Sequence, residues 1–108
     1  MEKRKPHYSL NQLQDMLSDE HTRIITRTCK REAAQIGYFD DDMIVERVLR
    51  LTRKEFDKSM TVYGNSQLWQ DVYKSDDGDR FLYIKLQLSA GKDQAIVIQF
   101  KTDTGKEW

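Results

Sequence analysis

The chain is poor in the residues that announce common chemistries. It has a single cysteine, Cys29, so no internal disulfide can form. Without a CxxC or Cys/His cluster a zinc site within the chain is not expected, and Cys29 reads as a small, semi-buried residue. The only proline is Pro6, and nothing after it forces a break. The two histidines, His7 and His21, both lie early, which gives a paired-histidine ribonuclease mechanism no positional support. Their ordinary role is local hydrogen bonding. The longest aliphatic run, Ala95 to Ile98, is far too short to span a bilayer. The opening MEKRKPHYSL has basic residues but no apolar stretch behind them, so it is not read as a signal peptide. A cytoplasmic protein with no membrane attachment is expected. Net charge is also missing: 18 basic residues balance 18 acidic ones, which argues against a generic polyanion binder. There is no internal repeat and no low-complexity linker.

What remains is enough for one folded unit. A chain of 108 residues buries roughly 65% of its unfolded surface, sufficient for one modest core and no second one. A single domain spanning 1–108 is expected, with 102–108 as a flexible tail. Charge is unevenly spread. HTRIITRTCKR, His21 to Arg31, holds Arg23, Arg27, Lys30 and Arg31 and no acid. It is either a solvated face or a local phosphate-binding patch, and in the second case Arg23 and Arg27 are RNA contacts. Asp40, Asp41 and Asp42 resemble a metal cluster. Acids at a helix start also satisfy free amides and complement the dipole, and that reading is preferred. No metal and no cofactor are expected.

Periodicity divides the chain in two. SLNQ at Ser9 fits a capping box, followed by the stripe Leu10, Leu13, Met16 and Leu17. TRIIT suggests a short extended piece, and a second helix from Thr28 to Ile36 should stop at Gly37. Met43, Ile44, Val45, Val48, Leu49 and Leu51 read as the buried face of a third helix. Thr52 to Glu55 forms another capping-box pattern, with a last turn running toward Lys58. Gln67–Lys74, Arg80–Ser89 and Gln94–Lys101 then read as three strands joined by the turn sequences SDDGD and AGKD. Helices first and strands later indicate an α+β fold: an antiparallel, twisted sheet with about three helices packed on one face.

Strand alternation identifies the open face. Leu82, Ile84, Leu86 and Leu88 share one side, and Phe81, Tyr83, Lys85 and Gln87 the other. Ile96, Ile98 and Phe100 are expected together, opposite Val97, Gln99 and Lys101. If Trp69 anchors the core, Gln70 joins Tyr83 and Lys101 on the open side, with Lys58 at its rim. Cations and aromatics in one concavity suit RNA: ammonium groups bind phosphate, and bases stack on rings. Cleavage needs an activated 2′-hydroxyl, neutralisation of charge on the phosphate and protonation of the leaving 5′-oxygen. On alternation alone a merely polar sheet surface is the commoner outcome.

The order of motifs resembles the MqsR family of bacterial toxins. The opening segment is in step at Glu2, Lys3, Arg4, Pro6, His7 and Leu10. FDKSMTVY followed by LWQDVY is the most specific part, and FLYIKL and VIQFK complete it. The resemblance covers Met1 to about Lys101. It implies a RelE-like fold and a type II toxin that cuts mRNA at short GC-containing sequences, independently of the ribosome and of metal. It also implies an antitoxin partner with a zinc-binding domain and a helix-turn-helix DNA-binding domain. The catalytic residues it implies are Lys58, Gln70, Tyr83 and Lys101. Lys58 and Lys101 would neutralise phosphate charge, Tyr83 transfer a proton or position the 2′-hydroxyl, and Gln70 hold a non-bridging oxygen. Tyr63, Tyr73 and Lys85 are further candidates for RNA contact, with packing an equal claim on Tyr73. The competing expectation is a non-catalytic protein-interaction or RNA-binding module of the same fold.

Overall fold

Three short helices begin where side chains can replace missing helical partners. In the computed structural model, which describes residues 1–104, Ser9 caps α1 (Leu10–Leu17), Thr26 caps α2 (Arg27–Ala34) and Asp40 caps α3 (Asp41–Leu49). Each cap side chain accepts a backbone N–H from the first turn, the usual remedy for the unpaired amides of a helix start. The aspartate run therefore does what a helix start requires. Asp40 accepts from the Met43 amide at 2.8 Å, Asp41 faces Lys30 and Asp42 faces Arg23. After α2 the chain reverses at Gly37, whose φ of +96° favours glycine.

The sheet has six strands: β1 (Glu2–Lys3), β2 (Arg23–Ile25), β3 (Phe56–Val62), β4 (Asn65–Asp76), β5 (Phe81–Leu88) and β6 (Ala95–Thr102). Their order is β1-β3-β4-β5-β6-β2. All neighbours are antiparallel except β2, which runs parallel to β6. The architecture is α+β with a mixed sheet, consistent with a RelE-like fold. The three expected strands are present as β4, β5 and β6. Where a last turn was expected to run toward Lys58, β3 instead forms a hairpin with β4. The capping box at Thr52 and Glu55 closes only a single 3₁₀ turn, Arg53–Glu55, and β3 starts directly after it.

Leu13, Leu17, Cys29, Ile44 and Val48 from the helices meet Tyr73, Leu82, Ile84, Leu86, Val97 and Phe100 from the sheet. Met43 and Leu49, expected in this core, are partly exposed. Burial pushes the Cys29 thiol up to about 12, so it stays protonated and unreactive. In β6 the expected alternation is corrected: Ala95 and Val97 face the core with Phe100, while Ile96 and Ile98 are only partly buried. The cause is a β-bulge. Lys85 pairs with Gln99 but its neighbour Leu86 pairs with Val97, leaving Ile98 as an extra residue. Of the expected tail, Thr102 closes β6 and Asp103 is buried, while 105–108 lie outside the described residues.

Candidate active face

One side of the sheet carries the helices, and the other presents three rows of side chains. Row positions follow from strand pairing. Met60 pairs with Gln70, and Gln87 pairs with Ile96. In the next row Lys58 pairs with Val72, Val72 with Lys85, and Lys85 with Gln99. In the third, Tyr83 stands between Lys74 and Lys101. Gln70, Lys58, Tyr83 and Lys101 therefore share one face, with Lys85 at its centre. Trp69 turns to the other side, as this arrangement requires.

Two of the lysines arrive here only because the strands are irregular. Phe56 pairs with the core residue Tyr73, yet Lys58 pairs with Val72, so Asp57 is an extra residue. Without it Lys58 would follow Phe56 toward the helices. The bulge at Ile98 does the same for Lys101, which would otherwise follow Val97 inward. Bulges of this kind re-aim side chains next to functional sites. The Asp57 bulge is held from outside: Arg4 donates to the Asp57 carbonyl at 3.2 Å, and Lys74 lies 3.8 Å from its carboxylate.

The charges on this face are not equivalent. Lys58 lies 3.2 Å from Glu2 of β1, and Lys74 lies 3.6 Å from Asp103. Among the described residues, Lys85 and Lys101 have no carboxylate within salt-bridge distance. Both instead flank the Tyr83 ring, Lys101 Nζ at 5.1 Å and Lys85 Nζ at 5.8 Å from its centre, distances at which a cation is attracted to the ring. Val72, fully buried between Lys58 and Lys85, gives the face an apolar floor. Burial, reinforced by Lys101 and Lys58, pushes the Lys85 ammonium below the ordinary lysine value. Burial also pushes the Tyr83 phenol above its ordinary value, with Asp57, Asp103, Glu2 and Glu32 acting in the same direction. Gln70 donates through Nε2 to Gln87 Oε1 at 2.8 Å. Beside it runs an open groove of about 730 Å³, lined by Met60, Thr61, Tyr63, Gln70 and Lys85 among others. Tyr63, at the tip of the β3–β4 hairpin, is fully exposed.

The remaining RNA-contact candidates lie elsewhere. Tyr73 is fully buried and packs edge-on against Phe56, so it offers no face to a base; burial pushes its phenol up to about 12. Arg23 is turned toward the helices, donating to the Leu17 carbonyl at 3.2 Å and facing Asp42. Its charge closes a helix end instead of joining the lysines. Arg27 is exposed at the start of α2. His7 stacks on Trp69, with ring centres 5.4 Å apart, on the side away from Tyr83. Gln87 and Glu2, partners of Gln70 and Lys58, were not singled out from sequence. Alternation put Gln87 on the right face, but nothing in MEKRK signalled a strand that would carry Glu2.

The sequence signature explains itself as a joint. The Asp71 carboxylate, fully buried, accepts the His7 and Tyr8 amides at 3.0 Å and the Ser59 hydroxyl at 2.6 Å. Tyr8 donates its hydroxyl to the Trp69 carbonyl at 2.6 Å. Residues of KPHY, KSMT and WQDVY thus meet around one carboxylate. A family model described as "Motility quorum-sensing regulator, toxin of MqsA" matches residues 5–102, a span that includes this joint and the open face.

The chain belongs to this toxin family. It is also 31% identical over 101 residues to the mRNA interferase toxin MqsR of Escherichia coli (strain K12), an alignment covering 94% of this chain and 98% of that protein.

Proposed function

We infer that the open face of the sheet is where this toxin, an endoribonuclease, cuts messenger RNA. The observation that carries the reading is the convergence of Lys58, Gln70, Tyr83 and Lys101, two of them through bulges, on a face with uncompensated positive charge. Phosphate approaching the face meets Lys101 first, because Lys58 must exchange Glu2 for it. Gln70, already oriented by Gln87, has an amide N–H to spare for a non-bridging oxygen. Tyr83 stays protonated at neutral pH and so serves as a donor. Positive charge fixed around the phosphate supplies the electrostatic part of catalysis. The chemistry is proposed to need neither metal nor ribosome, and the sites cut to be short GC-containing sequences. The exposed Tyr63 and the groove beside it suit stacking of a neighbouring base.

The partner is the antitoxin that family membership implies. We propose that it carries a zinc-binding domain and a helix-turn-helix domain, and that the pair works in the cytoplasm. No helix among the described residues is long and apolar enough to cross a membrane.

The test is cleavage of a defined synthetic RNA by the purified chain with EDTA present and ribosomes absent. Discrete cuts by the wild type, lost in a folded Lys58→Ala variant, are expected. A folded, monodisperse wild type that cuts nothing under these conditions would replace this reading with a non-catalytic, partner-binding one.

A further inference from the structure

We propose that Lys85 is the general base of RNA cleavage and Tyr83 its partner acid. The proposal rests on the nuclease reading above and assigns roles within it. Lys85 holds the central position of the face, one row from Tyr83 on the same strand and in the same row as Lys58. It lines the groove together with Gln70, the residue proposed to hold the phosphate. Among the described residues it has no carboxylate within salt-bridge distance, whereas Lys58 has one and Lys74 has two. A lysine half-buried over an apolar floor between two other ammonium groups is the one on this face that most readily gives up its proton.

The charged surroundings of Lys85 mostly oppose its charge. β3 contributes Lys58 and β6 Lys101, both opposing its charge; Glu32 of α2 favours it but is the weakest influence. That carboxylate is already engaged, accepting from Gln99 and from the Phe100 amide, each at 3.3 Å. Around Tyr83 burial keeps the phenol protonated, and there the nearby charges are acidic: Asp57, Asp103, Glu2 and Glu32 act in the same direction. Two neighbouring groups displaced in opposite directions are the pattern that separates a base from an acid.

The step balances without any outside reagent. The neutral Lys85 amine takes the 2′-hydroxyl proton as the 2′-oxygen bonds to phosphorus. The bond from phosphorus to the 5′-oxygen breaks, and its electron pair takes the Tyr83 proton. The products are a 2′,3′-cyclic phosphate and a free 5′-hydroxyl. Lys85 is then an ammonium beside a Tyr83 phenolate, and transfer of one proton between them restores both.

The experiment is single-turnover cleavage across a pH series, with ordinary RNA and with RNA carrying sulfur in place of the leaving 5′-oxygen. Sulfur leaves without needing a proton. Wild-type cleavage should accelerate as pH rises toward a Lys85 pKa below the ordinary lysine value, and fall only where Tyr83 ionises. Lys85→Arg keeps the charge but cannot accept a proton. It should lose about 100-fold in rate, and with it the rising limb. Its binding of RNA lacking the 2′-hydroxyl at the cut site should stay near wild type. The sulfur substrate should restore Tyr83→Phe and not Lys85→Arg. Retention of rate within about threefold in Lys85→Arg, or its restoration by sulfur, would overturn the assignment. Where the guanidinium does not fit the face, Lys85→Ala decides. Recovery with added ethylamine supports the base, and no recovery removes it. Failure of the wild type to cut any RNA sinks the nuclease reading itself.

Discussion

Asp71 and Lys85 sit on neighbouring strands but on opposite sides of the sheet, and they handle charge in opposite ways. Asp71 is fully buried, and two backbone amides and a hydroxyl converge on its carboxylate. Nothing is left over for a ligand. Lys85 is half-buried among like charges, with no carboxylate within salt-bridge distance among the described residues. The first arrangement spends a charge on joining three segments. The second leaves a charge unsatisfied until something anionic arrives. A motif that carries a family resemblance can therefore mark a joint as readily as a site: Trp69 and Asp71 flank Gln70 in WQDVY, yet only Gln70 faces the lysines.

The comparison breaks most visibly at Asp71. Asp71→Ala strands three donors, each costing about 1–3 kcal/mol when left unpaired in the interior. A stability loss on the order of 3 kcal/mol is expected in denaturant unfolding, with any activity loss following from unfolding. Unchanged stability would mean that water replaces the carboxylate and the joint is incidental. Lys101→Ala should behave conversely. It is expected to lose about 100-fold in cleavage rate, as for removal of one charge-stabilising donor, with the unfolding midpoint unmoved or raised, since it relieves repulsion with Lys85. Equal losses of both quantities would erase the distinction between the two sides.

Smaller effects sharpen the boundary of the site. Tyr63→Ala removes a fully exposed ring, so stability should hold while RNA affinity falls about fivefold or more, within the range for one stacked base. Binding to a non-cleavable RNA measures it. Tyr73→Phe keeps the buried ring and removes only its hydroxyl. Stability should stay within about 1 kcal/mol and cleavage should be unaffected; a loss of RNA binding would return Tyr73 to the interface.

Legibility in the sequence follows the same division. β5 could be read because Leu82, Ile84, Leu86 and Leu88 alternate strictly with polar residues over a buried face. β3 could not, because its one buried position is Ser59, which faces Asp71 and leaves no apolar alternation to detect. β1 has only two residues, and pairing between β2 and β6 joins segments far apart in the chain. TRIIT reads as extended, but nothing local says that it runs parallel. Gln70 and Tyr83 fall on the open face by counting alternate residues. Lys101 does too, but only when the count starts from Phe100; counted from Val97 it fails at the bulge. For Lys58, resemblance supplied what alternation could not. The pairing of Lys58 with Glu2 and of Gln70 with Gln87 depends on strand neighbours, which no local pattern records.

The two bulges also change what an insertion or deletion means in this protein. A gap of one residue inside a strand is usually treated as a misalignment, because it would turn every following side chain over. At Asp57 and Ile98 the extra residue already performs that inversion. A relative one residue shorter at either place would keep its lysine in the written sequence while directing it into the hydrophobic interior. For this sheet, the spacing between Phe56 and Lys58, and between Val97 and Lys101, is as much a part of the proposed active-site signature as the lysines are.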